Sequence, residues 1–574
     1  MKGNESKLLK VLSQLCISSV NSTSSGKTLT TLEKYLHVDR KIQKDLIAHM
    51  QDVTSQKEKH LILLTGSSGD GKSHLFSVIE NKEPELSNQF VKLFDATASS
   101  EPDQNAIQTL IKDLDTFSDE NIEETGESNF IILAINLGIL NNFIASKQAG
   151  EKYKKLIEFV KESKIYDTDK ISRVISSDKG LPFSIINFTG YNDLEFDDDK
   201  IISPFYNNIF EKITNTNKNN PFRTAYEYDK SKTDTIQTRI LCSNYEMLSN
   251  KEIQSSIIRL LIMARVQNKI ILTTRLLLDF IYRILVPSNI NESDLSENKV
   301  DVYLPFLLFE AEGKGRLDQP FRDLDILSYR NDRIDAIINE YFLSNKRNKY
   351  PIELNEFKFG RIFSNNLIKQ TKNNKAAYCA FFIRLTWLLN IIKIPSFFDD
   401  YNYYSNLLQG YYTRSQKTLD EIDELIQHAL YSWFGDYDSK IVYIGNTIKN
   451  TKLGYNLDII LDYDLIKVDP DENNHGFLFE MPLTYYIDVN NYDERLELNY
   501  NLIILMKRIV EDNYKPSIID DDDYLSFVIF AKQMIKKGQN SNSDLYIINT
   551  SRGSKFVLKR ANRSNKKKFT FLKN

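Results

Sequence analysis

Cysteine is nearly missing from this chain of 574 residues, which holds three, Cys16, Cys242 and Cys379, far apart in sequence. That excludes a disulfide framework and a cysteine-built zinc site, and leaves ordinary reduced thiols. Histidine is scarce too. The six, His37, His49, His60, His74, His428 and His475, show neither H-E-x-x-H nor paired C-x-x-C and H-x-H spacing, which argues against a zinc enzyme. No uncharged apolar run reaches the length of a membrane helix, and the opening MKGNESKLLKVLSQL lacks the apolar centre of a signal peptide. A cytoplasmic location with no membrane partner is expected. Charge of one sign is also lacking. The net value of −4 gives no global signal for nucleic-acid binding.

What is present is length, enough for three or four domains, and one segment that outweighs the rest, HLILLTGSSGDGKSHL from His60 to Leu75. Leu61 to Leu64 form a short apolar strand. Gly66 opens a glycine-rich turn, and Gly71, Lys72 and Ser73 close it where a helix begins. This is the G-x(4)-G-K-[ST] phosphate-cradling loop, a P-loop. Glycines let backbone N–H groups turn around an anion, and the following helix offers its positive N-terminal end. The expected nucleotide-binding residues are Gly66, Ser67, Ser68, Gly69, Asp70, Gly71, Lys72, Ser73 and His74. Lys72 is expected to reach the β- and γ-phosphates of ATP, and Ser73 to hold Mg²⁺. The pattern arises by accident in roughly one chain in a hundred of this length.

Alternation of strand and helix follows the loop. FVKLFDAT, NFIILAIN (Asn129 to Asn136) and LPFSIINFT (Leu181 to Thr189) read as strands, separated by helical stretches. The fold class expected is an α/β P-loop NTPase core, a mostly parallel sheet with flanking helices and a helical lid, then a helical region and a C-terminal α+β module. The divisions are 1–58 (N-terminal helices), 59–290 (core with lid), 291–435 (mainly helical) and 436–574 (α+β with a basic end). In the last, KIVYIGN, LDIILDYDL, FLFEMPLTYYIDV, DLYIINT and KFVLKRA read as strands.

Catalytic partners of a P-loop belong at the strand ends. Asp95, closing VKLFD, is the carboxylate best placed to hold Mg²⁺ through its waters, although the usual hhhhD-[DE] pair is missing. Asn136 ends the third strand and resembles the sensor residue of the AAA+ ATPases; an Asn capping the turn after the strand is the plainer reading. Arg275, in the first turn of a helix opened by Thr273 and Thr274, resembles the lid arginine of that family and suits γ-phosphate contact. An exposed helix arginine is the alternative.

LEKYLHV, GSSGDGKS, LFDAT and ILAINLGILNNF together resemble the DptF (DndF) family of phosphorothioation-dependent DNA restriction proteins. The later segments ILCSNYEMLSNKEI, LTTRLLLDFI, FFIRLTWLL, YSWFG and ELNYNLIILMKRIVEDNYKPS agree, so the likeness runs nearly the whole chain. It implies an ATP-hydrolysing subunit of a bacterial defence complex that attacks DNA lacking sulfur in its backbone. DptG-like and DptH-like partners are implied, with DNA met directly or through them; self-assembly stays open. A nucleotide switch or scaffold with little turnover is the alternative.

Other patterns are weaker. Asp193 with Asp198 and Lys200, or Asp436 with Asp438 and Lys440, match a nuclease pattern only loosely, so cleavage is assigned to a partner. Arg316, Arg322, Arg330 and Arg333 cluster in one segment, as solvated faces usually do. Tyr401, Tyr403, Tyr404, Tyr411 and Tyr412 read as helix packing rather than base stacking. The basic run from Arg552 to Lys573 is either a phosphate-contacting surface or a solvated tail.

Overall fold

The computed structural model describes residues 6–16, 29–56, 58–67, 69–94, 106–123, 129–166, 173–191, 193–197, 200–232, 235–292, 296, 299–310, 315–343, 375–444, 450–466, 479–487, 493–538, 544–549, 554–561 and 568–573. The chain divides into two compact units. The first takes in Met1–Glu195 and Ile202–Phe397, the second Phe196–Ile201 and Phe398–Asn574.

The first unit opens with helices α1 (Lys7–Leu12), α2 (Thr31–Leu36) and α3 (Lys41–Gln56). Strand β1 (His60–Gly66) follows, then α4 (Lys72–Lys82), β2 (Phe90–Phe94), β3 (Phe130–Asn136), β4 (Val174–Ser176) and β5 (Phe183–Asn187). These strands form one five-stranded sheet in the order β2-β3-β1-β5-β4, parallel except for the edge strand β4. The unbroken apolar runs of β1 and β3 suit strands covered on both faces. Leu61 and Leu63 point into one apolar cluster with Ile131, Leu133 and Phe183, and with Leu110, Phe143 and Phe159 from helices. Ile62 and Leu64 point the other way, into a cluster with α3 and α4. There α3 presents Ile42, Leu46, Met50 and Val53, three to four residues apart, against Leu75, Phe76 and Ile79 of α4. Each such side chain contributes about 1.5–3 kcal/mol on full burial. Parallel strands end together, so the last residues of β1, β3 and β5 share one edge, with Gly66 level with Asn136 and Thr65 level with Asn187.

The remainder of the first unit is mainly helical, including Pro204–Thr214, Pro221–Lys232, Lys251–Asn268 and Thr274–Leu285. Buried Asp229 fastens α1: its carboxylate accepts from Ser6 Oγ at 2.6 Å, Lys7 N at 3.0 Å and Leu8 N at 2.9 Å. A second buried carboxylate, Asp325, meets Arg384 at 2.5 Å, and Glu310 reaches the same guanidinium at 2.7 Å.

Strands β6 (Glu195–Asp197) and β7 (Lys200–Ile202) pair with each other. In the second unit, helices Asp399–Tyr412, Gln416–Phe434, Tyr500–Glu511 and Leu525–Gly538 accompany two sheets. One comprises β8 (Gly435–Asp436), β9 (Ile441–Tyr443), β10 (Thr451–Asn456), β14 (Leu545–Asn549), β15 (Ser554–Ala561) and β16 (Lys568–Lys573). The other comprises β11 (Ile460–Leu461), β12 (Met481–Tyr486) and β13 (Asp493–Leu498). Tyr401, Tyr404 and Tyr411 are buried; the Tyr404 and Tyr411 hydroxyls donate to the carbonyls of Phe479 and Pro482.

The mixed α/β core with a mainly parallel sheet matches the sequence expectation. The change from helix to strand expected near 435 is where the Gln416–Phe434 helix passes into β8, whereas the compact units divide at Phe397 and Phe398. The expected strand LDIILDYDL shrinks to Ile460–Leu461 because Asp462 turns the chain, its carboxylate accepting from Asp464 N at 3.0 Å and Leu465 N at 3.2 Å. No helix among the described residues is long and apolar enough to cross a membrane.

Candidate functional site

The segment from Gly66 to Ser73 leaves the buried end of β1 and enters α4 through two glycines in the left-handed region, Gly69 at φ 89° and Gly71 at φ 96°. Gly71 is the N-cap of α4 and supplies no side-chain bond, so the first turn of that helix keeps its N–H groups uncapped by a side chain. Asp70 braces the turn from within. Its Oδ2 accepts from Ser67 N at 2.5 Å, and its carboxylate fills the space above Gly66, where an added Cβ would meet Oδ2 at 2.7 Å. Burial pushes the Asp70 carboxyl above its ordinary pKa, while Lys72, the Ser67 N–H and Arg40 pull it down. The Lys72 ammonium donates to the Ser67 carbonyl at 2.7 Å.

Of the other expected site residues, Ser73 lies exposed on the first turn of α4, with His74 beside it. Asn136 stands level with Gly66 on the neighbouring strand and caps the next helix, Oδ1 accepting from Gly138 N at 2.8 Å. Arg275 is brought to the loop: its Cβ lies 3.5 Å from the place a Cβ would take on Gly69, and Thr273 Oγ1 lies 3.1 Å from it. Thr273 is the N-cap of that helix, accepting from Leu276 N at 3.3 Å. Thr274 Oγ1 is buried beside it without a hydrogen-bond partner among the described residues. Ser68 and Asp95 lie outside the described residues, as does Asp198 of the loose nuclease pattern.

Sequence reasoning missed a second set of neighbours. Arg40, just before α3, donates from Nη2 to the Asp70 carbonyl at 3.1 Å. His37, three residues earlier, places Nδ1 at 3.1 Å from His74 Nε2, while its Nε2 lies 3.0 Å from both Asp39 Oδ1 and Gln43 Oε1. Since a carboxylate can only accept, Nε2 of His37 carries the proton. Burial, helped by His37, drops the His74 pKa to about 4, so His74 is uncharged at neutral pH. Asp193 lies near Arg40, Arg265 and Asp70; burial raises its carboxyl above the usual range, the two arginines opposing. No local pattern announces the Arg40–Asp70 and His37–His74 contacts, which join residues thirty or more positions apart.

The arrangement is one glycine-hinged turn at the end of a buried strand, with a lysine, a serine hydroxyl and two arginine-bearing segments around it. It lies at the edge of an α/β sheet where three parallel strands end. Among the described residues no group of three or more His, Cys, Asp or Glu is placed to hold a metal by itself. Comparison with protein-family models, with curated proteins and with solved structures yields no match.

Proposed function

We propose that the Gly66–Ser73 loop is a P-loop and that the chain is a Mg²⁺-dependent ATPase, the ATP-binding and hydrolysing subunit of a phosphorothioation-dependent DNA restriction complex in bacterial antiviral defence. One observation carries the nucleotide part: Gly69 and Gly71 both hold positive φ between a buried parallel strand and a helix start with no side-chain cap. A Cβ at either position is strained, and a first helical turn that no side chain caps suits an anion placed before it. The restriction part rests on the family likeness of the sequence, which also brings DptG-like and DptH-like partners, DNA and a cytoplasmic setting.

In this reading the Lys72 ammonium exchanges the Ser67 carbonyl for β- and γ-phosphate oxygens. The exposed Ser73 hydroxyl fits one Mg²⁺ position, and Asp95, next after β2, is assigned the metal's waters. Bound Mg²⁺ supplies neutralising charge. Asn136 and Arg275 sit beside the loop and are assigned γ-phosphate contact.

A second reading, a nucleotide switch with little turnover, is favoured by Asn136, whose carbonyl oxygen is committed to Gly138 where an acidic pair would serve hydrolysis. Steady-state ATP hydrolysis by the full chain, with and without unmodified DNA and partner subunits, decides. Turnover lost in Lys72→Ala supports the ATPase; tight Mg-ATP binding without turnover favours the switch; no binding contradicts both.

A further inference from the structure

The Asp70–Gly71 peptide leads the loop into α4, and it precedes a glycine held at φ 96°. Glycine accepts both signs of φ, so such a peptide resists a flip less than any other. Something outside the loop must hold it. In a planar trans peptide the C=O and the following N–H point in opposite directions. A donor fixing the Asp70 carbonyl therefore also fixes the Gly71 N–H, on the opposite side of the chain.

Arg40 is that donor. Its Nη2 bonds the Asp70 carbonyl at 3.1 Å and lies 3.3 Å from the place a Cβ would take on Gly71. Its guanidinium carbon stands 5.6 Å from the Phe188 ring centre and 5.2 Å from that of Phe205, so the planar group is held by two aromatic faces. Its backbone is fixed on both sides. Lys41 begins α3, whose Ile42 and Leu46 share a cluster with Leu75 and Phe76 of α4, and His37 reaches His74 in the first turn of α4.

We propose that Arg40 is a positioning residue of the nucleotide site, a brace that keeps the Asp70–Gly71 peptide oriented with its N–H toward the phosphates. The proposal rests on the nucleotide reading above. Arg40 acts through the peptide it holds.

The test is calorimetric titration of Mg-ATP into the full chain carrying Arg40→Met or Arg40→Lys, beside wild type, with each apo protein's thermal midpoint as a fold control. Arg40→Met keeps the stem and loses the donors; its Kd rises about tenfold, the scale of one hydrogen bond to a charged group, with the midpoint near wild type. Arg40→Lys recovers part of the loss, because an ammonium still donates but does not lie flat between the rings. Where turnover is measurable, KM rises more than kcat falls, as expected for binding lost equally in ground and transition states. Wild-type Kd in Arg40→Met, or a lowered midpoint and active fraction with Kd unchanged, overturns the brace and leaves the nucleotide reading standing. A wild-type chain that binds no Mg-ATP removes both.

Discussion

Gly69 shows how narrowly the loop is specified, since its φ of 89° strains any side chain and the Thr273 hydroxyl, 3.1 Å from the place a Cβ would take, leaves little room for one. Gly69→Ala is expected to cost about 1–2 kcal/mol in urea unfolding, the usual penalty for an L-residue held in the left-handed region, and to weaken Mg-ATP binding. An unchanged unfolding midpoint would contradict the geometry. His60 and His74 make a second prediction at this scale. Burial depresses both to a pKa of about 4, against about 6.5 when unfolded. The folded chain thus binds fewer protons than the unfolded one between those values. Stability is complete above pH 6.5 and is lost as pH falls toward 4, by about 2 kcal/mol per histidine at pH 5. Urea titrations at pH 7 and pH 5 measure this, and His74→Asn should recover about half of the combined loss. A pH-independent midpoint contradicts it. The loop residues were legible because glycine, lysine and serine at that spacing have few substitutes. Arg40 and His37 were not, because nothing in the neighbouring sequence signals a partner thirty or more residues on.

Helix α1 spans six residues, too short to persist without help, and its start is fastened by Asp229 from a distant helix. Asp229→Ala leaves the Ser6 hydroxyl and two N–H groups without their acceptor, at a cost of about 1–2 kcal/mol. The loss should be local. Limited proteolysis is expected to cut the N-terminal segment faster than in wild type while the remaining fragment survives; equal cutting rates would show that α1 is held by its apolar face alone. Elements with one unambiguous pattern were readable from sequence. Strands β1 and β3 carry unbroken apolar runs, β5 is apolar apart from Ser184 and its last residue, and the Thr274–Leu285 helix combines a threonine N-cap with helical periodicity. Of the antiparallel strands, β9, β12, β14 and β15 fall in segments read as strands, but β13 (Asp493–Leu498) was missed, since it opens on three charged residues beside a helix of stronger pattern, and Asp462 cuts β11 to two residues through its side chain.

At the scale of the molecule, the sequence pattern indicated an α/β portion followed by helices and an α+β portion, and the first unit carries the whole of the candidate site. Its sheet explains why. Parallel pairing brings Gly66 and Asn136 to the same edge from positions seventy residues apart, and α3 packs beside α4 so that Arg40 lands on the loop. Register and packing of this kind are decided by the core, and a motif search along the chain does not see them. The proposed function requires this edge to grip a nucleoside triphosphate. Calorimetric titration of Mg-ATP into the full-length wild-type chain and its Lys72→Ala variant tests it directly. One saturable site, with a Kd of about micromolar order in wild type and a loss of at least about tenfold in Lys72→Ala, is the predicted result. No heat of binding in wild type, or the same Kd in both proteins, would contradict it.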